Sequence, residues 1–493
     1  MITWQDYEAW GQNDVPSFIA QLIAEHKKSE LYLTAKDADE YDAQRNVTIV
    51  NYVRTIWSSS GTPIEDFTAT NNKIVSNFFH RLNKQRTMYS LGNGITFDDD
   101  EDQKIKKALG EKFDTRMKDG GYFANTHGVS FIFWNMDGIH VFKVTEFAPL
   151  FDEETGALRG GVRFWQIEKN KPVIAVFYEI DGYTKYTTAK KMEATYNGQR
   201  RIIITDGMTF HEMQPKRGYK QKVKFTKANG EEVVGEENYD ALPIVPLWGS
   251  NLHQSTLVGM RASIDSFDLI RSGFANDLSD CTQIYWLVEN CAGMTDEDLQ
   301  KFRDKLKIQR IAEVGTGEDG AKVTPYTQEI PFAARQAYLD DIRKGIYEDF
   351  GALDVHQVSA DSTNDHLAAA YQPLDENADD FEYQIIECVQ QILRIAGLGE
   401  HMPLFKRNMI ANQKEQVEMV IQEAEYLDEQ TILEKLPNVT ADEVDTIMER
   451  RGVEDLERFN GGGTDDEDED VEAEFDTFGN NMIQMLEELA EGL

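Results

Sequence analysis

Hydrophobic and polar positions divide this chain into three textures: helical spacing to about residue 120, alternating or clustered apolar residues over 121–250, and helical spacing again from 255. In the first texture, Phe18, Leu22, Ile23 and His26 form a short amphipathic stripe. Residues 41–60 read as one helix with Val47, Val50, Val53, Ile56 and Trp57 turned inward. After a turn at 62–67, Asn71–Phe97 carries Ile74, Val75, Phe78, Phe79, Leu82 and Met88 at helical spacing. Leu91-Gly92-Asn93-Gly94 stops that helix, because glycine terminates helices readily. An acidic loop, 98–102, and a further helix over Lys104–Lys118 follow.

The middle texture predicts an antiparallel β region. Apolar clusters flank a hairpin signal at Asp137-Gly138. Strands are expected at 162–168, 173–179, 183–188, 191–196, 201–205, 208–213 and 223–226. The basic stretch Lys216-Arg217-Gly218-Tyr219-Lys220, with Lys222 and Lys224, reads first as a solvated hairpin and second as a contact for an acidic partner or nucleic acid.

Leu257, Met260, Ile264, Phe267, Ile270, Phe274 and Leu278 mark a long helix over 255–282. A compact insertion, 283–331, holds a strand (QIYWLVEN), a helix at 296–312 opened by Thr295, and a polar hairpin (GTGEDGAKVTPY). A second long helix, 332–353, places Phe332, Leu339, Ile342, Ile346 and Phe350 on one face. Polar residues 354–363 interrupt it. Asn364–Ala396 then resumes helical spacing over roughly 50 Å, with a kink expected at Pro373, whose ring clashes with the preceding turn. Short helices at 412–427, 429–435 and 440–450 suggest an all-α bundle, and Gly461–Gly463 leads into an acidic tail expected to be disordered.

Charge narrows the classes. The formal net charge is −38. A protein that grips nucleic acid by neutralising phosphates should be basic. The tail from Thr464 contributes twelve acidic and no basic residues, so most of the charge belongs to the body. No apolar run reaches eighteen residues, and no secretory leader is read at the N-terminus. Three cysteines without a CxxC fit a reducing compartment and leave no zinc or redox motif.

Catalytic constellations are sparse. Gly315–Lys322 departs from a phosphate-binding loop, with its lysine one residue late and Val323 where serine or threonine should bind magnesium. Asp354, His356, Asp361, Asp365 and His366 crowd one loop but lack a fixed metal-ligand spacing from two elements. No HExxH and no nucleophile elbow is present. The chain is read as a non-enzyme without a cofactor. A metal-dependent DNA enzyme and an oligomeric adaptor or scaffold stand as alternatives.

The collinear order of these parts resembles the portal proteins of tailed double-stranded DNA phages. The resemblance covers about residues 15–455. It rests on Asn71–Phe97, on Pro243–Asp280 with Asp265, Asp268, Asn276 and Asp277, on Leu339–Asp354, and on Ser359–Leu398. Ser362–Leu367 departs from it, where serine-glycine before a small, helix-favouring run is expected.

The resemblance implies an α+β portal-type fold with a wing made of a helical part (1–120) and an antiparallel β-rich part (121–254). Two stem helices (255–282, 332–353) would flank a small α/β clip (283–331). A channel loop (354–363), a long kinked helix (364–397), an all-α crown (398–460) and a tail (461–493) would follow. It further implies a dodecameric ring at one capsid vertex of the virion, assembled in the host cytoplasm. Duplex DNA would pass through without sequence preference, driven by the terminase large subunit. Head-completion and connector proteins, the major capsid protein and scaffolding protein would be the other partners, with no membrane. On that reading Val355, His356, Gln357, Val358, Ser359 and Ala360 form the channel loop. Asp340, Asp341, Glu348 and Asp349 are candidates to line the channel, and Lys301, Arg303, Lys305, Lys307 and Arg310 to contact the motor and connector.

Overall fold

The computed structural model describes residues 2–280 except 12–13, 59–60, 68, 99–102, 197–198, 227–229 and 231. Beyond these it describes 285–289, 322–326, 332–355, 364–407 and isolated positions up to 450. The chain divides into two units: Met1–Ala352 with Asn377–Arg407, and Leu353–Glu376 with Asn408–Leu493.

The first unit opens with helices α1 (Trp4–Trp10), α2 (Val15–His26), α3 (Glu30–Asp42) and the short α4 (Val47–Val50). Thr3 and Asp6 form a capping box on α1, Asp14 caps α2 and Ser29 caps α3. The single helix expected over 41–60 does not form. Gln44 takes a positive φ of 54° after α3, and 55–57 becomes strand β1 (Thr55–Trp57), paired with β2 (Pro63–Glu65). Ile49, which the expected stripe left out, is buried, whereas Val50, Val53, Ile56 and Trp57 of that stripe are exposed, Trp57 at 75%. Branched residues at 47, 49, 50, 53 and 56 suit strand and helix alike, so spacing alone misassigned them.

Helix α5 (Phe78–Leu91) starts seven residues later than expected. After β3 (Ile95–Phe97), the helix expected over 104–118 splits into α6 (Lys104–Ala108) and α7 (Phe113–His127). Gly110, at φ +97°, makes the break, and Gly128, at φ +91°, ends α7.

The β region is antiparallel throughout. Strands β4 (Val129–Asn135) and β5 (Gly138–Lys143) form the hairpin signalled at Asp137-Gly138. Next come β6 (Phe147–Phe151), β7 (Leu158–Trp165), β8 (Ile174–Glu179), β9 (Gly182–Tyr196) and β10 (Gln199–Arg217) in a sheet ordered β10-β9-β8-β7-β6. Four of the short strands expected from spacing are two long ones, β9 and β10. The basic hairpin is β10 running into β11 (Lys220–Thr226), which pairs with β12 (Glu232–Glu237). Its Lys216 is tied to Glu179, at 2.8 Å, and to Asp181. Strand β13 (Ile244–Trp248) pairs with β4 and closes a three-stranded sheet.

Three cores hold this unit. Helices α1 and α2 bury Tyr7, Phe18, Ile19, Leu22 and Ile23 on the five-stranded sheet, against Leu150, Val162, Phe164, Phe177 and Tyr186. Helix α7 packs on the three-stranded sheet together with Phe381, Ile385, Val389 and Ile392. The third core joins α3 and α5 to two long helices, α8 (Leu257–Asp280) and α9 (Phe332–Phe350). Strands β14 (Tyr285–Glu289) and β15 (Lys322–Tyr326) pair within the segment between those helices. Helix α10 (Asn364–Ala396) continues through Pro373, and β16 (Pro403–Phe405) pairs with β3.

In the second unit the described residues are few. Leu353 and Asp354 are buried and Val355 is exposed; Leu367, Tyr371 and Leu374 are buried along one side of α10. The expected bundle over 412–450 and the tail lie outside the described residues, apart from isolated positions.

Candidate functional site

The site is built on α8 and α9. Leu257, Met260 and Ile264 of α8 share a core with Ile346, Tyr347 and Phe350 of α9. At the opposite ends, the Phe274 and Phe332 rings lie 5.5 Å apart and Asp277 pairs with Arg335. The start of one helix thus meets the end of the other, so the pair is antiparallel. The chain leaves by α8, passes β14 and β15, and returns by α9.

The side of α9 opposite this core is acidic. Asp340, Asp341, Glu348 and Asp349 are all exposed, while Leu339, Ile346, Tyr347 and Phe350 are buried. A 3.6-residue period puts Asp341 and Glu348 opposite Leu339, Ile346 and Phe350, with Asp340 and Asp349 on the flanks. The acidic side is partly balanced, since Lys344 reaches Glu348 at 3.4 Å. Gln336 donates to Asp340 at 3.1 Å.

Three polar side chains at four-residue spacing on α8 hold the segment before α5. The backbone N–H of Ser76 donates to Asp268 at 2.9 Å, that of Ile74 to Ser272 at 2.9 Å, and that of Asn72 to Asn276 at 2.6 Å. Alternate N–H groups of an extended strap thus find acceptors along one ridge of a helix. Extended backbone turns alternate N–H groups to one side, where they meet this ridge, and α5 begins only at Phe78, after the last of them. Asp268 is fully buried and also accepts from Asn46. Burial pushes its pKa up to about 6, against the hydrogen bonds from Ser76 and Asn46. One turn earlier, Asp265 accepts from the Tyr41 hydroxyl at 2.5 Å and from Thr48 at 2.7 Å. Sequence reasoning marked Asp265, Asp268, Asn276 and Asp277 but missed Ser272, Ser76 and Asn46. Small polar residues every fourth position in the interior of a long helix were the available signal.

Arg86 fixes the far end. It is buried, donates to Asn125 at 3.1 Å and to the Asn377 carbonyl at 2.9 Å, and stacks 5.0 Å from the Phe381 ring. Asn377 in turn donates to the Phe350 carbonyl at 2.6 Å, satisfying the last turn of α9.

Of the sequence-marked loop, Val355 is exposed, while His356, Gln357, Val358, Ser359 and Ala360 lie outside the described residues. So do Lys301, Arg303, Lys305, Lys307 and Arg310, and the Gly315–Ala321 stretch. Asp354 is buried and His366 is exposed on α10. Among the described residues no three His, Cys, Asp or Glu side chains gather to hold a metal, and no helix is long and apolar enough to cross a membrane.

Residues 21–457 match the model of the phage portal protein family, SPP1 Gp6-like. The chain belongs to that family, and it is a phage portal protein. The portal protein of Clostridium phage phiCD119 is 23% identical over 386 residues, covering 74% of this chain and 81% of its own length. The portal protein of Bacillus phage SPP1 is 23% identical over 438 residues, covering 82% and 80%. Among solved structures, the neck of an empty GTA particle computed with C6 symmetry aligns at a TM-score of 0.41 and 10% identity, covering 72% of this chain and 88% of that one.

Proposed function

We propose that this chain assembles as a dodecameric ring at one capsid vertex of the virion, after synthesis in the host cytoplasm. Double-stranded DNA passes through its channel, inward under the terminase motor and outward at ejection. The role is structural and needs no cofactor. The observation that carries the reading is the family match over 21–457, which takes in both long helices, the segment between them and the loop after them.

In this reading α8 and α9 are the stem, 283–331 is the clip that meets the terminase large subunit and then the connector proteins, and 354–363 is the channel loop. Capsid and scaffolding proteins meet the wing. The acidic side of α9 faces the DNA. Carboxylates repel phosphate, so the duplex is not trapped as it is driven through. At physiological ionic strength such repulsion decays over about 8 Å, so it acts only where wall and duplex nearly touch.

Electron microscopy and native mass on the purified full-length chain, alone and with its shell proteins, test the ring. A closed ring with a channel of roughly duplex width is the expected result. A chain that stays monomeric or dimeric under both conditions overturns it.

A further inference from the structure

The β9–β10 hairpin outgrows its sheet. Strand β8 pairs with β9 only as far as Thr187, and the Thr188 N–H makes one more bond, to the Val173 carbonyl. Among the described residues, β9 beyond that point pairs with β10 alone, over eight rungs from Ala189↔Asp206 to Tyr196↔Gln199. That makes a two-stranded ribbon extending roughly 25 Å past the sheet. A lone ribbon of this kind is marginally stable in water.

Burial changes where the sheet ends. Along β9 buried positions alternate from Gly182 to Thr188, whereas Lys190, Lys191 and Glu193 are exposed. On β10, Ile202, Ile203 and Ile204 are 68%, 47% and 53% exposed. Consecutive residues point to opposite faces of a strand, so both faces of the ribbon present isoleucine to solvent. An exposed apolar edge is an aggregation site unless something covers it.

The base of the ribbon is fixed. Between Asp206 and His211, β10 advances five residues while β9 advances two. Such a bulge bends a strand and sets its direction. Phe210 anchors the bulge in the core under α2, and Asp206 accepts from the Thr188 hydroxyl. A side chain at Gly207 would lie 2.5 Å from the Thr188 carbonyl, so the bend requires glycine.

We infer that the paired strand ends 189–196 and 199–206 are an assembly arm covered by a second copy of this chain. Charge favours that occupant. The arm carries Lys190, Lys191, Arg200 and Arg201 against Glu193 and Asp206, and is net basic on a chain of net charge −38. A basic apolar arm is drawn to the acidic surface of another copy, and complementary charge guides such docking. Contacts of this head-to-tail kind close into a ring when each copy lends its arm to the next. The inference therefore rests on the ring reading above.

The test uses the full-length chain and two variants of exposed residues, Ile202→Ser with Ile204→Ser, and Lys190→Glu with Lys191→Glu. Native mass spectrometry follows assembly against protein concentration, and hydrogen exchange follows the amides of 199–206. Each variant is expected to raise the half-assembly concentration at least tenfold, the charge variant less so at high salt. The dissociated subunits should keep wild-type circular dichroism. In the wild type, exchange at 199–206 should slow on assembly. Rings formed equally well by both variants, with exchange at 199–206 unchanged, overturn the arm alone. A wild-type chain that never assembles overturns the ring reading, and the arm with it. Protection gained only on adding capsid-shell proteins overturns the second copy as occupant.

Discussion

At the scale of single residues, Asp268 carries the most consequence. Its carboxylate receives the strap and Asn46 inside a buried site, and burial holds its pKa at about 6, above the usual 3.8. Between those values the folded chain keeps a proton that the unfolded chain gives up. Asp268 therefore favours folding fully below about pH 4, and this contribution is lost as pH rises through about 6. Asp268→Asn keeps an acceptor for Ser76 but cannot titrate. The difference in unfolding free energy between wild type and variant should change by roughly 3 kcal/mol across that window. Denaturant titrations of dissociated subunits at several pH values measure it. Parallel pH profiles would refute the assignment. Asp265, Asp268, Asn276 and Asp277 were visible in the sequence as a pattern. Their use was not, because their donors are remote in sequence: Tyr41, Thr48, Asn46, Ser76 and Asn72 for the first three and Arg335 for Asp277.

At the scale of elements, the sheets depend on close approach. Gly161 on β7 lies opposite Pro149 of β6, and a side chain there would meet the Phe147 ring at 2.3 Å and the Ala148 carbonyl at 3.0 Å. Gly161→Ala should cost about 1–3 kcal/mol, from overpacking a filled core, and lower the thermal midpoint by several degrees. An unchanged midpoint would count against this packing. The proposed channel loop is also an element-scale matter. Deleting 355–360 should leave ring assembly intact and sharply reduce DNA packaging in vitro, and packaging at the wild-type rate would remove the loop from the mechanism. Amphipathic α2 was readable in sequence because it buries one stripe. Helix α8 buries its expected Leu257, Met260 and Ile264 but leaves Leu278 exposed and buries Asp268, Ser272 and Asn276 instead. Helix α9 buries Leu339, Ile346 and Phe350 but not Phe332. The region 41–60 was not readable, because β-branched residues serve either period.

At the scale of the whole molecule, the clip reading is open to a charge test. Lys301→Glu, Arg303→Glu and Lys305→Glu together should weaken binding of the terminase large subunit at least tenfold while rings still form, as co-sedimentation or surface plasmon resonance would register. Wild-type affinity would move the motor contact elsewhere.

The sequence by itself determined the succession of helical, β and helical textures, the antiparallel character of the middle region and the existence of two long helices bracketing an insertion. Each follows from local periodicity, which a chain carries wherever it folds. The tertiary structure alone decided that 71–77 is a strap rather than a helix, that four short strands are two long ones, and that part of the resulting ribbon stands clear of its sheet. Those outcomes depend on which distant groups meet: Ser272 with Ile74, Thr188 with Asp206, and an isoleucine run paired with β9 beyond the point where β8 ends its pairing. Backbone donors go to the best acceptor that packing brings near, and no spacing within a segment encodes that.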